Sequence, residues 1–337
     1  MTHGHTSGAG GPGPSAAGSW GEALDEDARR ALEAALPGWL AGRRWFGGKA
    51  RSVARVEILD TVPLAMGERV ARFALLRVHY ATGGAERYAL PLAFAGGAPA
   101  ELPGAEVVEL APGGLRGVVY AADGDPAFGR ALLEAMAARR SFEGGGGSLV
   151  AWHGGAFSSL AVDAAREEPR PLSAEQSNTS LRFGEAVILK LFRRAEEGPN
   201  PDLELGAFLT DVAQFPHTPP TLGGLEYRPR RGQPTALGIL QAFVPNQGDA
   251  WSYTLGAVAG ALERARGRGS PPPRAGHLLE LAAAAAPAWE RELAGPYLDA
   301  AELLGRRTAE LHLALASHRE LPDFAPEPFG PGDRAAL

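Results

Sequence analysis

The alternation of apolar and polar residues changes from a helical period to a strand period within the first hundred residues. Residues 26–41 place apolar side chains at helical spacing between charged ones, which predicts a helix that ends near Pro37. A strand is predicted over 52–59. The runs 74–80 and 88–94 then alternate with a period of two around a Gly-Gly connection, which predicts an antiparallel hairpin. This part of the chain therefore predicts a small antiparallel sheet with one helix.

Strand patterns continue to residue 244, and helical patterns follow. A strand over 115–122 and a helix over 125–140 lead into a strand-rich stretch at 149–244, with hairpins predicted at 181–192 and 225–244. The chain is thus predicted to be an α+β protein with two lobes, in which a mixed-sheet lobe precedes a helical one. The helices of the second lobe are predicted over 249–266, 277–292 and 297–317.

Four segments follow from this pattern. Residues 1–24 are rich in Gly, Ser and Pro and are predicted to be a disordered tail. Residues 25–110 form a first sheet domain, residues 111–244 a second strand-rich domain, and residues 245–337 a helical region. Ligands prefer clefts between such lobes, so the link near residues 241–249 is a candidate hinge.

The composition narrows the choice of partners and location. The formal net charge is −6, whereas nucleic-acid-binding domains are basic, so no nucleic acid partner is expected. There is no apolar run of about 18 residues, so no membrane partner is expected. The absence of cysteine excludes disulfides, cysteine-ligated zinc and a thiol nucleophile. The start of the chain lacks the blocks of a signal peptide, which favours a cytoplasmic location.

Four consecutive glycines at Gly144–Gly147 invite comparison with a phosphate-binding loop. No Lys-Ser or Lys-Thr pair follows them, as it does in such loops. A flexible turn is therefore predicted here.

A single lysine interrupts the apolar strand VILKLF. Val187, Leu189 and Leu191 would point to one side of this strand, and Lys190 with its alternate neighbours to the other, which must be a cleft or solvent. Lysine on an edge strand can also serve to block aggregation, so two interpretations stay open. The basic residues Arg193 and Arg194 continue the strand, where they could face solvent or a phosphate group, and solvent is the favoured prediction.

Two segments near this strand have residues suited to a phosphate ligand. Glu204 lies in the first turn of a helix that Asn200 and Pro201 are predicted to start, and a strand lysine paired with a helix glutamate holds nucleotide phosphates in protein kinases. The run Gln176–Ser180 is predicted to be a loop rich in N–H and hydroxyl donors. Each feature also has an ordinary structural interpretation, as a helix-dipole carboxylate or a simple turn.

Several motifs together resemble the maltokinases. The strings EQSNTSLRFGEAVILKLFRR and GPNPDLELGAFLTD carry the resemblance, which extends to WLAGRRWFGGKAR, GILQAFVPNQGDAW and AELLGRRTAELHLALAS. Maltokinases are bacterial kinases that phosphorylate maltose to maltose 1-phosphate with ATP and Mg²⁺, which feeds glycogen synthesis. The resemblance implies a protein-kinase-like fold with a cap domain over 25–110, a nucleotide-binding lobe over 111–244 and the start of a helical lobe over 245–337. It also implies a partner in the trehalose synthase pathway.

The resemblance also implies site residues. Lys190 would contact the ATP phosphates and Glu204 would orient it. Four polar residues would lie over the nucleotide, namely Ser177, Asn178, Thr179 and Ser180. The backbone of a second stretch would hold the adenine, namely Gln241, Ala242, Phe243 and Val244.

The catalytic motifs of this family have no counterpart in the 337 residues. The family uses a loop of the type HGDxHxxQ and a later DFE to supply the catalytic base and the metal ligands. We therefore expect no catalytic residue and no metal ligand in this chain, and no maltose kinase turnover by it alone. Maltose is expected to bind only if the missing half is supplied. The helical lobe is also expected to expose apolar surface.

Two alternatives to a sugar kinase remain. The chain could be a non-catalytic nucleotide-binding module with a regulatory or scaffolding role. It could also be another kinase of the same fold, such as an aminoglycoside or choline phosphotransferase, which the RWFGGK and NPDLE strings disfavour.

Overall fold

The structure is a computed structural model of the chain. It describes residue 20 and residues 24–96, 104–111, 116–157, 164, 166–172, 178–269, 275–330 and 332–333. The disordered tail predicted over 1–24 falls mostly outside the described residues. Trp20 is an exception, because it is buried and its Nε1 donates to the carbonyl of Val70 at 3.1 Å. The tail prediction is therefore wrong at this position, where an aromatic side chain completes the core of the first sheet.

The first sheet has five strands, β1 (Val53–Met66), β2 (Arg69–Tyr80), β3 (Ala85–Ala95), β4 (Glu106–Leu110) and β5 (Gly117–Ala121). It is antiparallel throughout and has the order β1-β2-β3-β5-β4. The predicted hairpin is confirmed as β2 and β3, whose alternate apolar residues lie in one hydrophobic core.

Helix α1 (Glu26–Ala41) packs on one face of this sheet. The Asp25 side chain caps it by accepting a hydrogen bond from the Ala28 amide at 2.7 Å. The helix continues through Pro37 instead of ending there. Leu36 and Leu40 on either side of Pro37 are fully buried against the sheet, and this packing outweighs the one backbone hydrogen bond that proline removes.

The second sheet has seven strands, β6 (Ser141–Glu143), β7 (Gly147–His153), β8 (Pro169–Pro171), β9 (Asn178–Phe183), β10 (Val187–Phe192), β11 (Thr221–Pro229) and β12 (Thr235–Ala242). It is also antiparallel and has the order β6-β7-β11-β12-β10-β9-β8. Two helices accompany it, α2 (Pro126–Ala137) and α3 (Pro201–Ala207), and α3 continues as a π turn over Phe208–Val212.

Both sheets belong to one compact unit, which we call the sheet unit. It comprises the described residues up to Gln214 together with Thr218–Phe243. A single core contains side chains of the first sheet, of α2 and of the second sheet, for example Phe73, Phe128 and Leu189. Because β5 pairs with β3, the domain boundary predicted at residue 110 falls inside the first sheet, which continues to Ala121.

Gly144, Gly145 and Gly146 form the turn between β6 and β7, as predicted, whereas Gly147 is the first residue of β7. A carboxylate anchors this turn. Asp60 on β1 accepts hydrogen bonds from the amides of Gly145 and Gly146 at 2.9 and 3.0 Å, and from the Tyr227 hydroxyl at 2.7 Å. A Cβ on Gly144 would lie 2.8 Å from Asp60 Oδ2, so glycine allows this close approach. The amides of Gly145 and Gly146 therefore bind the protein's own carboxylate.

The remaining described residues, Phe215–His217 and those from Val244 onward, form a second unit, which we call the helical unit. It contains α4 (Ala250–Ala265), α5 (Leu278–Ala283), α6 (Ala288–Ala294) and α7 (Tyr297–Leu315). The helix predicted over 277–292 is thus two helices, separated by a break that ends at Pro287, the N-cap of α6. Two antiparallel sheets followed by helices confirm the predicted α+β class. None of the described helices is long and apolar enough to span a bilayer.

Candidate functional site

Strand β10 places Lys190 in the interior of a sheet. The strand pairs with β9 on one side and with β12 on the other, so the edge-strand interpretation is wrong. Val187, Leu189 and Leu191 are buried in the core, while Ile188 and Lys190 are only half-buried. The predicted alternation of faces is therefore confirmed for these residues.

The strand register identifies the neighbours of Lys190. It lies opposite Ser180 of β9, and Ile188 lies opposite Arg182 of β9 and Gln241 of β12. Directly opposed residues in antiparallel strands point to the same side of the sheet. We call this side the Lys190 face; its half-buried members are Asn178, Ser180, Arg182, Ile188, Lys190 and Gln241.

Part of the predicted donor loop is a strand instead. Asn178, Thr179 and Ser180 belong to β9 rather than to a loop, because their backbones pair with β10. Strand β8 pairs with β9 in turn, and Ser177 lies outside the described residues in the connection between them. Asn178 and Ser180 lie on the Lys190 face, where their side chains can donate hydrogen bonds.

Thr179 points to the opposite face. It is buried, and its hydroxyl donates to Oδ2 of Asp123 at 2.6 Å. Its side chain therefore points away from any ligand on the Lys190 face, contrary to the expectation that Thr179 lies over the nucleotide. Alternation along β9 explains the difference, since Thr179 sits between two residues that face the other way.

Asp123 also anchors the end of β10. Arg193 Nη2 donates to Asp123 Oδ2 at 2.9 Å, and the two side chains are only 12% and 15% exposed. The Arg193 guanidinium lies 4.4 Å from the centre of the Trp45 ring. The prediction that Arg193 faces solvent is thus wrong, whereas the Arg194 side chain is 61% exposed. Both the ring and the carboxylate are remote in sequence, so the strand pattern alone gave no sign of this contact.

The WLAGRRWFGGKAR motif builds the aromatic layer that Arg193 contacts. Trp45 and Phe46 pack against Tyr88, with ring centres 6.2 and 5.2 Å apart. The Tyr88 and Tyr80 hydroxyls both donate to Glu86, and burial raises the pKa of Tyr88, with hydrogen bonds to Tyr80 and Glu86 adding to the shift. The motif therefore has a packing role in the first sheet.

Helix α3 begins as the sequence predicted. Asn200 caps it by accepting a hydrogen bond from the Leu203 amide at 3.2 Å, and Pro201 occupies the first turn. Leu203 packs against Phe192 and Ile239, which lie on the same side of the sheet as Lys190. The helix therefore packs on the Lys190 face.

Glu204 of this helix lines a cavity of about 400 Å³. Trp152, Asn200 and Glu226 are among the other residues that line it. Among the described residues, no ion pair of 4.0 Å or less joins Lys190 and Glu204, and the predicted orienting role of Glu204 stays a prediction. The amine of Lys190 makes no hydrogen bond or ion pair with any described residue.

The predicted adenine-binding stretch is only partly available for a ligand. The amides of Ala242 and Phe243 donate to Pro220 and Ala186 at 3.0 and 2.9 Å, so these donors serve the sheet unit itself. Gln241 presents its side chain on the Lys190 face. Val244 belongs to the helical unit and is 51% exposed.

The donor set of the Lys190 face suits an anion. Lys190 offers a cationic donor, and Ser180 and Asn178 offer neutral donors, which bind phosphate oxygens well. Mg²⁺ prefers carboxylate oxygens, and the described residues contain no group of three or more His, Asp or Glu side chains placed to hold a metal. The side chains of the Lys190 face thus suit nucleotide phosphates, and none of its named members offers a carboxylate for a magnesium ion.

Comparison with known proteins finds one matching family model and several similar solved structures. The sequence of residues 39–125 matches the family described as the maltokinase N-terminal cap domain. A glucosamine kinase solved with glucosamine, ADP and inorganic phosphate is 19% identical, with a TM-score of 0.45, and the match covers 86% of this chain and 52% of that one. A second crystal form of glucosamine kinase gives 21% identity, a TM-score of 0.46 and the same coverage. The chain spans about half the length of these kinases. Over residues 39–125, which include the whole first sheet, the chain is therefore similar to the maltokinase N-terminal cap domain.

Proposed function

We propose that the sheet unit is the nucleotide-binding lobe of a maltokinase-type sugar kinase. The observation that carries this proposal is the placement of Lys190. It lies on an interior strand, half-buried beside polar side chains of β9, on the side of the sheet where helix α3 packs. A charged amine on a half-buried surface without an acidic partner among the described residues is suited to an anionic ligand.

The residues around Lys190 indicate which end of the bound nucleotide lies at which end of this face. Lys190 binds phosphate oxygens, and Asn178 and Ser180 donate hydrogen bonds to the same groups from the neighbouring strand. Gln241 and Phe243 lie toward the end of β12, where we place the base. Helix α3 packs on the side of the sheet that carries Lys190, and we propose that Glu204 of this helix orients the amine.

The complete reaction that we propose is the transfer of the ATP γ-phosphoryl group to maltose, which yields maltose 1-phosphate for glycogen synthesis. Mg²⁺ would neutralise the phosphate charge in that reaction. The base and the metal ligands belong to motifs that this sequence lacks. The present chain therefore supplies nucleotide binding, and we propose that maltose phosphorylation requires residues from elsewhere.

Calorimetric titration with ADP tests the proposal. The wild-type chain should bind ADP, and Lys190→Ala should weaken binding at least about tenfold, because it removes a charge-assisted contact to phosphate. Lys49→Ala is the matched control, since Lys49 is the other lysine of the chain and its amine binds the Arg44 carbonyl at 2.9 Å. Absence of ADP binding by the wild-type chain would contradict the proposed function.

A turnover assay separates binding from catalysis. The purified chain with ATP, Mg²⁺ and maltose should yield no maltose 1-phosphate, and appreciable product would contradict our assignment of the catalytic groups. The coding sequence immediately beyond Leu337 then distinguishes the two forms of the hypothesis. An HGDxHxxQ motif followed by DFE favours a sugar kinase, and their absence favours a non-catalytic nucleotide-binding module.

A further inference from the structure

Two arginines face each other on the Lys190 face. The register of β8 and β9 places Arg170 directly opposite Arg182, and neither forms an ion pair with an acidic residue among those described. Like charges in directly opposed positions destabilise a sheet. Such a pair is therefore poorly explained by the stability of the sheet.

Arg182 differs from Arg170 in having an aromatic partner. Its guanidinium carbon lies 5.0 Å from the centre of the Phe243 ring, and Arg182 is half-buried, whereas Arg170 is exposed on the edge strand β8. The Phe243 amide donates to the Ala186 carbonyl, which fixes the backbone that carries the ring. The Phe243 ring therefore offers the Arg182 guanidinium a cation–π contact on the Lys190 face.

The position of Arg182 along the strand separates it from the phosphate position. It lies two residues from Ser180, which is opposite Lys190, and two residues in a strand span about 6.6 Å. It also lies toward the end of β12, near Gln241, where the base is placed by the proposed function. A planar guanidinium at that distance can stack on a base while Lys190 binds phosphate.

We propose that Arg182, in contact with the Phe243 ring, is the group that recognises the nucleotide base, and that it does so by stacking rather than by charge. This inference rests on the proposed function of the Lys190 face. Stacking requires the planar guanidinium, whereas attraction to phosphate requires only a positive charge. Lysine at position 182 keeps the charge and removes the plane, so it separates the two roles.

The test is calorimetric titration of ADP into the wild-type chain and into Arg182→Lys, Arg182→Ala and Arg170→Lys. Both Arg182 variants should weaken binding by about tenfold, because each loses the stacking surface. Arg170→Lys is the matched control, since it makes the same change on the opposed strand at an exposed position, and it should keep affinity within about twofold. Thermal unfolding of the four proteins checks that they are folded.

The outcomes divide clearly. Wild-type ADP affinity in Arg182→Lys would overturn the inference while leaving the proposed function intact. A loss of affinity in Arg170→Lys as large as that in Arg182→Lys would do the same. The salt dependence of ADP binding adds an independent readout. Its slope should be unchanged in Arg182→Lys and reduced in Lys190→Ala, because only the latter removes a phosphate contact. Failure of the wild-type chain to bind ADP would instead overturn the proposed function, and the inference with it.

Discussion

The sheet unit buries its apolar side chains, whereas the helical unit leaves similar side chains exposed. In the sheet unit the strands bury their alternate leucines and valines in shared cores. In the helical unit no residue of α4 to α7 is buried, and Trp251 and Leu278 are 71% and 76% exposed. Apolar residues at helical spacing predict a helix, but they stabilise it only where a second surface covers them.

The contacts that join the helices to one another are correspondingly sparse. Tyr253 of α4 stacks on Tyr297 of α7 with ring centres 6.0 Å apart, and Arg264 donates to the Leu293 carbonyl. These contacts bury little apolar area, so we expect the helical unit to bind apolar dyes and to contribute little to the free energy of unfolding.

The largest difference between the units is expected from leucine truncation. Leu189→Ala in β10 should lower the free energy of unfolding by roughly 2–5 kcal/mol, because Leu189 is fully buried. Leu304→Ala in α7, where the side chain is 64% exposed, should change it by less than about 0.5 kcal/mol. Urea denaturation followed by tryptophan fluorescence measures both. Similar losses in the two variants would contradict the contrast between the units.

Removal of the Asp60 carboxylate should produce the next largest effect. Asp60→Ala leaves the amides of Gly145 and Gly146 and the Tyr227 hydroxyl without their acceptor, which should cost roughly 2–3 kcal/mol of unfolding free energy. Asp211→Ala, in the π turn after α3, is a control of the same chemical type outside this cluster. The urea midpoint compares the two variants, and equal small shifts would show that the hydrogen bonds to Asp60 add no stability.

These results illustrate what the sequence could predict and what it could not. The hairpin of β2 and β3, the cap at Asn200 and the two sides of β10 depend on neighbours in the chain, and their patterns predicted them correctly. The hydrogen bonds that Asp60 accepts from the glycine turn and the one that Asp123 accepts from Arg193 join residues far apart in sequence. No local pattern predicts such contacts. Composition made Asn178 to Ser180 resemble a turn, but pairing with β10 determined their conformation.

Alkaline pH should destabilise the sheet unit by a smaller amount. Burial raises the pKa of Tyr227, and its hydrogen bond to Asp60 raises the pKa further. Because the folded pKa exceeds the unfolded value of about 10, stability is complete below about pH 10 and decreases as pH rises above it. The free energy of unfolding should therefore fall progressively as the pH rises above about 10. Tyr227→Phe should flatten this fall relative to Tyr253→Phe at an exposed position, and identical slopes would contradict the assignment.

The smallest effect is expected from a surface ion pair in the helical unit. Arg306 and Glu302 of α7 lie 2.9 Å apart with both side chains mostly exposed. Glu302→Gln should reduce stability by about 0.3–0.5 kcal/mol at low salt and by less at high salt, because solvent ions screen such pairs. Helicity measured by circular dichroism at two salt concentrations checks this, and a loss above about 1 kcal/mol would show that the helical unit depends on charge more than its exposure indicates.

The most direct test of the central claim is affinity labelling with an acyl phosphate of ATP, which transfers its acyl group to an amine close to the bound phosphates. The chain contains only two lysines, Lys49 and Lys190, so mass spectrometry can assign the label without ambiguity. If the Lys190 face binds the nucleotide phosphates, Lys190 should be acylated preferentially and excess ADP should prevent its labelling, while Lys49 reacts slowly and without protection. Equal labelling of both lysines, with no protection by ADP, would contradict the account.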